Sequence, residues 1–293
     1  MHGTLKAALW MIGAITSFTT MAVAGRTVSS QLDTFEIMLF RSLTGLVIVV
    51  TLAACFGTLK QVQAKKLKLH FTRNICHFAG QNLWFYAITV IPLAQVFALE
   101  FTTPIWVILL SPILLKERIT AIGMLSATIG FVGILIVARP DPANISPGLI
   151  AAAACAIFFA LTAIITRKLT KTESITAILF FLTSMQAVFG LVFAGFDGDI
   201  SVPTVANAPW VILIGIAGLL AHFCLTKALS IAPASIVMPI DFVRLPTIAI
   251  VGMLLYDEPL EALVFIGAAF IFAGNYINIS HATRAAKTEP SSS

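Results

Sequence analysis

Of the 293 residues, 59% are hydrophobic and only 11% are charged, and the mean hydropathy is +0.99. A soluble domain carries about 25% charged residues, so the composition excludes one and points to an integral membrane protein. A net charge of +5 would suit a nucleic-acid partner if it were gathered on a domain. Here the basic residues sit in short connections, which argues for a lipid bilayer as partner and against nucleic acid.

Apolar segments follow one another near residues 5–25, 34–56, 71–90, 93–115, 119–138, 147–166, 175–195, 209–229, 233–256 and 261–280. Each is about the length needed to cross a bilayer as a helix. The first carries Ala22-Val23-Ala24 after an apolar run preceded by Lys6, a pattern that imitates a cleaved leader. Its removal would leave nine spans, so it is read as a span. The second carries Arg41. The connection Lys60 to His70 is basic with interleaved leucines. It fits either a segment lying on an anionic leaflet or an ordinary loop.

The third span is the most polar. Asn74, His77, Gln81 and Trp84 recur at helical spacing and form one stripe. The fourth presents Gln95, Thr102 and Trp106 on a stripe, with Glu100 and Thr103 beside it. Pro104 and Pro112 in the fourth span, and Pro239 and Pro246 in the ninth, are expected to kink their helices. Gly130 and Gly133, Gly215 and Gly218, and Ala151 to Ala154 suit close helix contact. The eighth span carries His222 and the ninth Asp241 and Arg244. The tail 282–293 is polar and expected to be disordered.

Sliding the chain 141 positions along itself superimposes Arg26 on Arg167, Pro92 on Pro233, Glu100 on Asp241, Phe101 on Phe242, Glu117 on Glu258 and Gly133 on Gly274. One offset joins start, middle and end, so the chain reads as a five-helix unit written twice, over 5–140 and 146–281. An odd number of spans inverts the second copy in the membrane. The expected fold is therefore all-α: ten transmembrane helices as two inverted five-helix repeats, an arrangement that carriers use. With the N-terminus inside, most Lys and Arg fall in inside loops, and only Arg26 and Arg139 fall outside. That asymmetry places both termini in the cytoplasm. Lys116-Glu117-Arg118 and its counterpart Asp257-Glu258-Pro259 fit the same topology, one basic and one acidic.

Charged groups within a span cost about 2.5–3.5 kcal/mol on insertion scales, so those present are expected to face the interior. His77, Gln81, Trp84, Gln95, Thr102, Trp106 and His222 are the candidate lining of a substrate cavity, because amides beside aromatic rings suit a flat, partly polar ligand. The alternative for them is interhelical hydrogen bonding. Arg41, Glu100, Asp241 and Arg244 are candidate coupling or pairing charges. Asp241 has Arg244 three residues on, and Glu100 could reach Arg41. No metal spacing, cofactor motif, phosphate loop or nucleophile with its base is present, so neither an enzyme nor a primary pump is expected. The four cysteines lie in spans and read as packing residues.

Several stretches resemble the drug/metabolite transporter superfamily, in its ten-span type with two EamA domains. They are Glu36 to Arg41, Ala87 to Gln95, Thr103 to Ile119 and Gly123 to Val137, echoed by Ala228 to Pro239, Tyr256 to Leu260 and Gly274. The resemblance implies a cavity between the halves, lined by the first, third, fourth, sixth, eighth and ninth spans. It implies a secondary carrier of a small molecule in the bacterial inner membrane, and the stretch His77 to Trp106 is similar to members that import riboflavin. Exporters of amino acids or drugs and S-adenosylmethionine carriers are the alternatives within the superfamily. Oligomeric state is left open between monomer and homodimer.

Overall fold

The computed structural model describes residues 2–63, 65–115, 120–139, 145–196, 198–233, 236–237 and 240–288. Its regular elements are helices: α1 (His2–Val28), α2 (Thr34–Cys55), α3 (Leu67–Val90), α4 (Leu93–Glu100), α5 (Thr103–Leu115), α6 (Ala121–Ala138), α7 (Pro147–Leu169), α8 (Ile175–Ala194), α9 (Ala208–Ile231), α10 (Arg244–Tyr256) and α11 (Ala262–Thr288). Short 3-10 turns occupy Leu59–Gln61 and Asp241–Val243.

The helices are those of a ten-span membrane fold. Among the described residues seven stretches are long and apolar enough to cross a bilayer by themselves, with α4 and the start of α5 counted as one. The polar stripe of α3 holds its hydropathy down, the ninth span is divided around the 3-10 turn, and the apolar part of α11 is short, Ala262–Gly274. Large apolar side chains such as Leu9, Val47, Val188 and Leu254 are exposed, while Arg73, His77, Gln81 and Arg244 are buried. Apolar outside and polar within is the distribution a bilayer demands.

The repeat is visible in local structure. Asp33 caps α2 through a reciprocal box with Glu36, whose amide donates to Asp33 Oδ1 at 2.8 Å. Ser174, the residue equivalent to Asp33, caps α8 by accepting from the Ala177 amide at 3.1 Å. Ile91 and its counterpart Ala232 both end a helix in extended backbone just before a proline. The same sequence logic thus starts and stops equivalent helices in both halves.

Packing follows a pseudo-two-fold axis. The four largest helix pairings are α1 with α9, α3 with α7, α2 with α8, and α6 with α11. Exchanging the repeats turns the first pairing into the second and maps each of the other two onto itself. The α6–α11 seam shows this at atomic level. A Cβ on Gly133 would sit 2.5 Å from the Gly267 carbonyl oxygen, and one on its counterpart Gly274 would sit 2.6 Å from the Ser126 carbonyl oxygen. Ser126 and Gly267 are themselves equivalent. A Cβ on Gly130 would meet nothing within 4 Å, although its backbone N lies 3.1 Å from a Cβ on Gly274, so of the two glycines in α6 only Gly133 needs to lack a side chain.

Two expectations are corrected. The C-terminal segment is helical through Thr288, because Ala-Thr-Arg-Ala-Ala-Lys continues the last span with good helix formers; 289–293 lie outside the described residues. Pro104 does not kink a continuous helix: it lies in the first turn of α5, where the missing N–H has no intrahelical partner to lose. Pro246 lies in the first turn of α10, directly after the 3-10 turn. Pro112 is inside α5. Pro239 and Lys116-Glu117-Arg118 lie outside the described residues.

Candidate functional site

The fourth and ninth spans are interrupted at equivalent places, and the interruptions build the centre of the molecule. Helix α4 stops at Glu100 and α5 starts at Thr103, whose hydroxyl donates to the freed Glu100 carbonyl at 2.5 Å. In the ninth span the 3-10 turn begins at Asp241. Arg244 Nη2 then donates to Glu100 Oε1 and to Asp241 Oδ2, each at 2.5 Å. Trp84 of α3 donates its indole N–H to the other Glu100 oxygen at 2.7 Å. The guanidinium packs against Phe18, Phe97 and Phe101, with centroids 4.9, 4.8 and 5.4 Å away, so its faces are dry and its edge is ion-paired. Phe101 and Phe242, equivalent residues, meet edge to face at 4.8 Å, as expected of residues flanking a symmetry axis. Asp241 Oδ1 and Arg244 Nε are buried without a partner, leaving one acceptor and one donor for a ligand or water.

This cluster forms one end of a cavity of about 60 Å³ bounded by α1, α3, α4, α5, α7, α9 and the ninth span. Phe18, Phe101, Phe159, Trp84 and Pro104 give it apolar walls; Arg73, His77, Gln81, Thr103, Thr162, Thr166, His222 and Thr226 give polar ones. Those spans are the first, third, fourth, sixth, eighth and ninth. The His77 and His222 rings lie 4.6 Å apart, edge to face. Both His77 nitrogens and His222 Nε2 are buried without a partner.

His77, Gln81, Trp84 and His222 of the expected lining therefore share one cavity with Glu100, Asp241 and Arg244. Three expected residues do not. Gln95 lies toward the end of α4 away from the cluster, beside Pro92, Arg139, Glu258 and Glu261. Five residues is about 500° of helix, so it cannot share a face with Glu100. The Thr102 hydroxyl donates to the Leu99 carbonyl at 2.8 Å and accepts from Trp106 Nε1 at 3.2 Å. The two satisfy each other where the chain leaves α4, and Trp106 packs on an apolar cluster that includes Ala7 and Met11. Arg41 does not reach Glu100. It lines a smaller adjoining cavity with Gln186 and His222, its guanidinium lying against Gly218. Arg244 is the partner that pseudo-symmetry provides for both acids.

Asn74, on the expected polar stripe of α3, instead ties helices together. Its amide nitrogen donates to the His70 carbonyl at 2.9 Å and to the Phe181 carbonyl of α8 at 3.3 Å, and Gln186 Nε2 donates to its carbonyl at 2.8 Å. Arg73 was missed as a lining residue because it falls among basic loop residues in sequence. Its spacing of four from His77 and eight from Gln81 was the available signal. Phe18, Phe159 and the threonines carried none, being ordinary residues of apolar spans.

At the membrane face opposite the N-terminus of α1 the bundle is tied shut. Arg26 forms an ion pair with Glu258, which also accepts from the Leu93 amide at 3.0 Å. Tyr256 donates its hydroxyl to the Val23 carbonyl at 3.1 Å and lies under the Arg26 guanidinium at 4.5 Å. Arg139 pairs with Glu261. The two basic residues expected on this face are thus each matched to an acid.

The chain is 29% identical over 271 residues to a riboflavin transporter of Brucella anthropi, covering 90% of this chain and 95% of that one. It is 24% identical over 262 residues to an S-adenosylmethionine uptake transporter of Rickettsia bellii, covering 89% of each. A solved crystal structure, 17% identical, superposes with a TM-score of 0.74 over 95% of this chain and 98% of its own, which shows a shared fold. The sequence profile of the EamA-like transporter family matches twice, at 5–139 and 146–280. Those two matches are the two inverted repeats, and the chain belongs to the EamA-like transporter family, as a multi-pass membrane transporter.

Proposed function

We propose that this chain is a secondary carrier that takes up a flat heteroaromatic metabolite across the bacterial inner membrane, with both termini cytoplasmic and riboflavin as its substrate. The observation that carries the reading is the central cavity: aromatic walls from Phe18, Phe101, Phe159 and Trp84 beside the polar edge of Gln81, His77 and the threonines. A tricyclic ring stacks on such walls, and a polyhydroxyl chain suits the donors and acceptors. The likeness to riboflavin transporters supports this choice. The cavity holds about 60 Å³, against roughly 300–1,000 Å³ for a ligand pocket. Loading therefore requires the halves to separate, and the interrupted fourth and ninth spans are where a carrier of this build would bend.

S-adenosylmethionine is the second reading. It is favoured by the carboxyls of Glu100 and Asp241 outnumbering the one guanidinium between them, an excess that suits a cationic group.

The test is uptake of labelled riboflavin and of labelled S-adenosylmethionine by bacterial cells unable to make or import each, with and without this protein. Saturable riboflavin uptake, lost in a Gln81→Leu variant that still reaches the membrane, supports the first reading. Uptake of S-adenosylmethionine alone transfers the reading to it, and uptake of neither despite insertion overturns both.

A further inference from the structure

Four ion pairs join described residues, and none includes Arg41 or Arg73. Both side chains are buried, Arg73 at 2% exposure and Arg41 at 5%. The Arg73 hydrogen bonds go to neutral acceptors, Thr166 Oγ1 at 3.1 Å and Asn74 Oδ1 at 3.2 Å. The hydrogen bond of Arg41 goes to Met38 Sδ at 3.3 Å. Arginine keeps its charge in proteins, and an uncompensated buried charge is costly. Two such cations within one membrane bundle call for a counter-charge.

Their surroundings say where it would come from. Arg73 and His77 lie one turn apart on α3 and line the central cavity, facing His222 of α9. Arg41 stands behind His222 in the adjoining cavity. The unpartnered ring nitrogens of His77 and His222 thus belong to residues that share the central cavity with Arg73, and His222 shares the adjoining one with Arg41. Among the described residues no carboxylate lines the adjoining cavity, and the two that line the central one, Glu100 and Asp241, are held by Arg244.

We infer that Arg73, His77 and His222, with Arg41 behind them, form an anion subsite that binds an oxyanion of the transported molecule, a carboxylate or a phosphate ester. The inference rests on the carrier reading and, where it holds, replaces riboflavin itself with a substrate that bears a negative group at the end remote from Arg244. Arg73 supplies the charge and the forked donors that fit an oxyanion. His77 supplies an N–H that no described residue uses, His222 can present one at its unpartnered Nε2, and Arg41 strengthens the field. Riboflavin by itself has no such group; riboflavin 5′-phosphate and S-adenosylmethionine do.

The test uses the purified full-length protein in lipid nanodiscs, with thermal unfolding followed by tryptophan fluorescence. Sodium acetate and sodium phosphate are titrated against sodium chloride at equal ionic strength. A rise of several degrees with an oxyanion, absent in Arg73→Gln and reduced in Arg41→Gln, is expected. Acetate or phosphate as the better stabiliser tells carboxylate from phosphate ester. Oxyanions no better than chloride, or a shift retained in Arg73→Gln, overturn the subsite, and the wild-type comparison decides even if that variant fails to fold. Binding of matched pairs then separates the two levels: riboflavin against riboflavin 5′-phosphate, and adenosine against S-adenosylhomocysteine. Charged members binding tenfold tighter or more are expected. Equal affinity within both pairs overturns the subsite and leaves the carrier reading intact. Stabilisation by oxyanions with no binding of any of the four overturns the heteroaromatic reading and leaves the subsite standing.

Discussion

Arg26, in the last turn of α1, is ion-paired to Glu258, just beyond α10, and the same carboxylate accepts from the Leu93 amide at the start of α4. One side chain thus joins three spans at one face of the membrane. Under the repeat, Arg26 corresponds to Arg167, which donates to the Leu229 carbonyl at 2.5 Å near the other face. Glu117, the counterpart of Glu258, lies outside the described residues. Among the described residues the equivalent arginines thus make different contacts, an ion pair for Arg26 and a backbone carbonyl for Arg167.

Neutralising this tie should favour opening at the face that bears it. A charge-assisted hydrogen bond contributes about 1.5–3 kcal/mol, and about 1.4 kcal/mol is a tenfold change in population. In a protein whose four cysteines are replaced by serine and which carries Thr162→Cys in the cavity, Glu258→Gln should speed labelling by a water-soluble thiol reagent from that face by roughly tenfold. An unchanged rate would show that the pair does not hold the face closed.

Removing Arg244 should be far worse than removing either acid it binds. Arg244→Gln leaves Glu100 and Asp241 buried without a cation, and breaking a buried pair costs about 3–5 kcal/mol. Glu100→Gln keeps Arg244 paired to Asp241 and the amide oxygen available to Trp84. Thermal unfolding in detergent should rank Arg244→Gln well below Glu100→Gln, and equal stabilities would mean that the cluster is not held as an ionic unit.

Substituting glycines in α6 should separate contact from coincidence. In Gly133→Ala the methyl would meet the Gly267 carbonyl oxygen at 2.5 Å, a backbone clash of the kind that costs about 1–3 kcal/mol. Gly130→Ala meets nothing and should be neutral or gain up to about 1 kcal/mol from helix propensity. A lower unfolding temperature for the first and not for the second is the expected pattern.

Gln81→Leu and Gln95→Leu should differ in transport. Both glutamines read alike in sequence, but Gln81 lines the central cavity and Gln95 lies beside Arg139 and Glu261. Uptake per inserted molecule should fall at least tenfold in the first and change less than twofold in the second. Equal losses would move the substrate path toward Gln95.

The duplicated five-span plan, its inversion and the equivalence of Glu100 with Asp241 were legible in the chain, because a single offset and hydropathy record them and a bilayer allows few alternatives to helices. Equivalent caps at Asp33 and Ser174 are likewise local choices written in local residues. The partner of Glu100 was not legible: it depends on which way the broken fourth and ninth spans turn, and that is decided by packing. The same holds for Thr102 and Trp106, which look like lining residues by spacing and instead bond to each other where the helix breaks. Arg73 reads as one more basic residue at a membrane edge until α7 and α9 enclose it. Sequence alone determined the number, order and symmetry of the spans, since these follow from hydrophobic length and repetition. Which polar side chains meet in the cavity was decided only by the tertiary structure, because a helix face acquires its partner through contacts between segments more than a hundred residues apart.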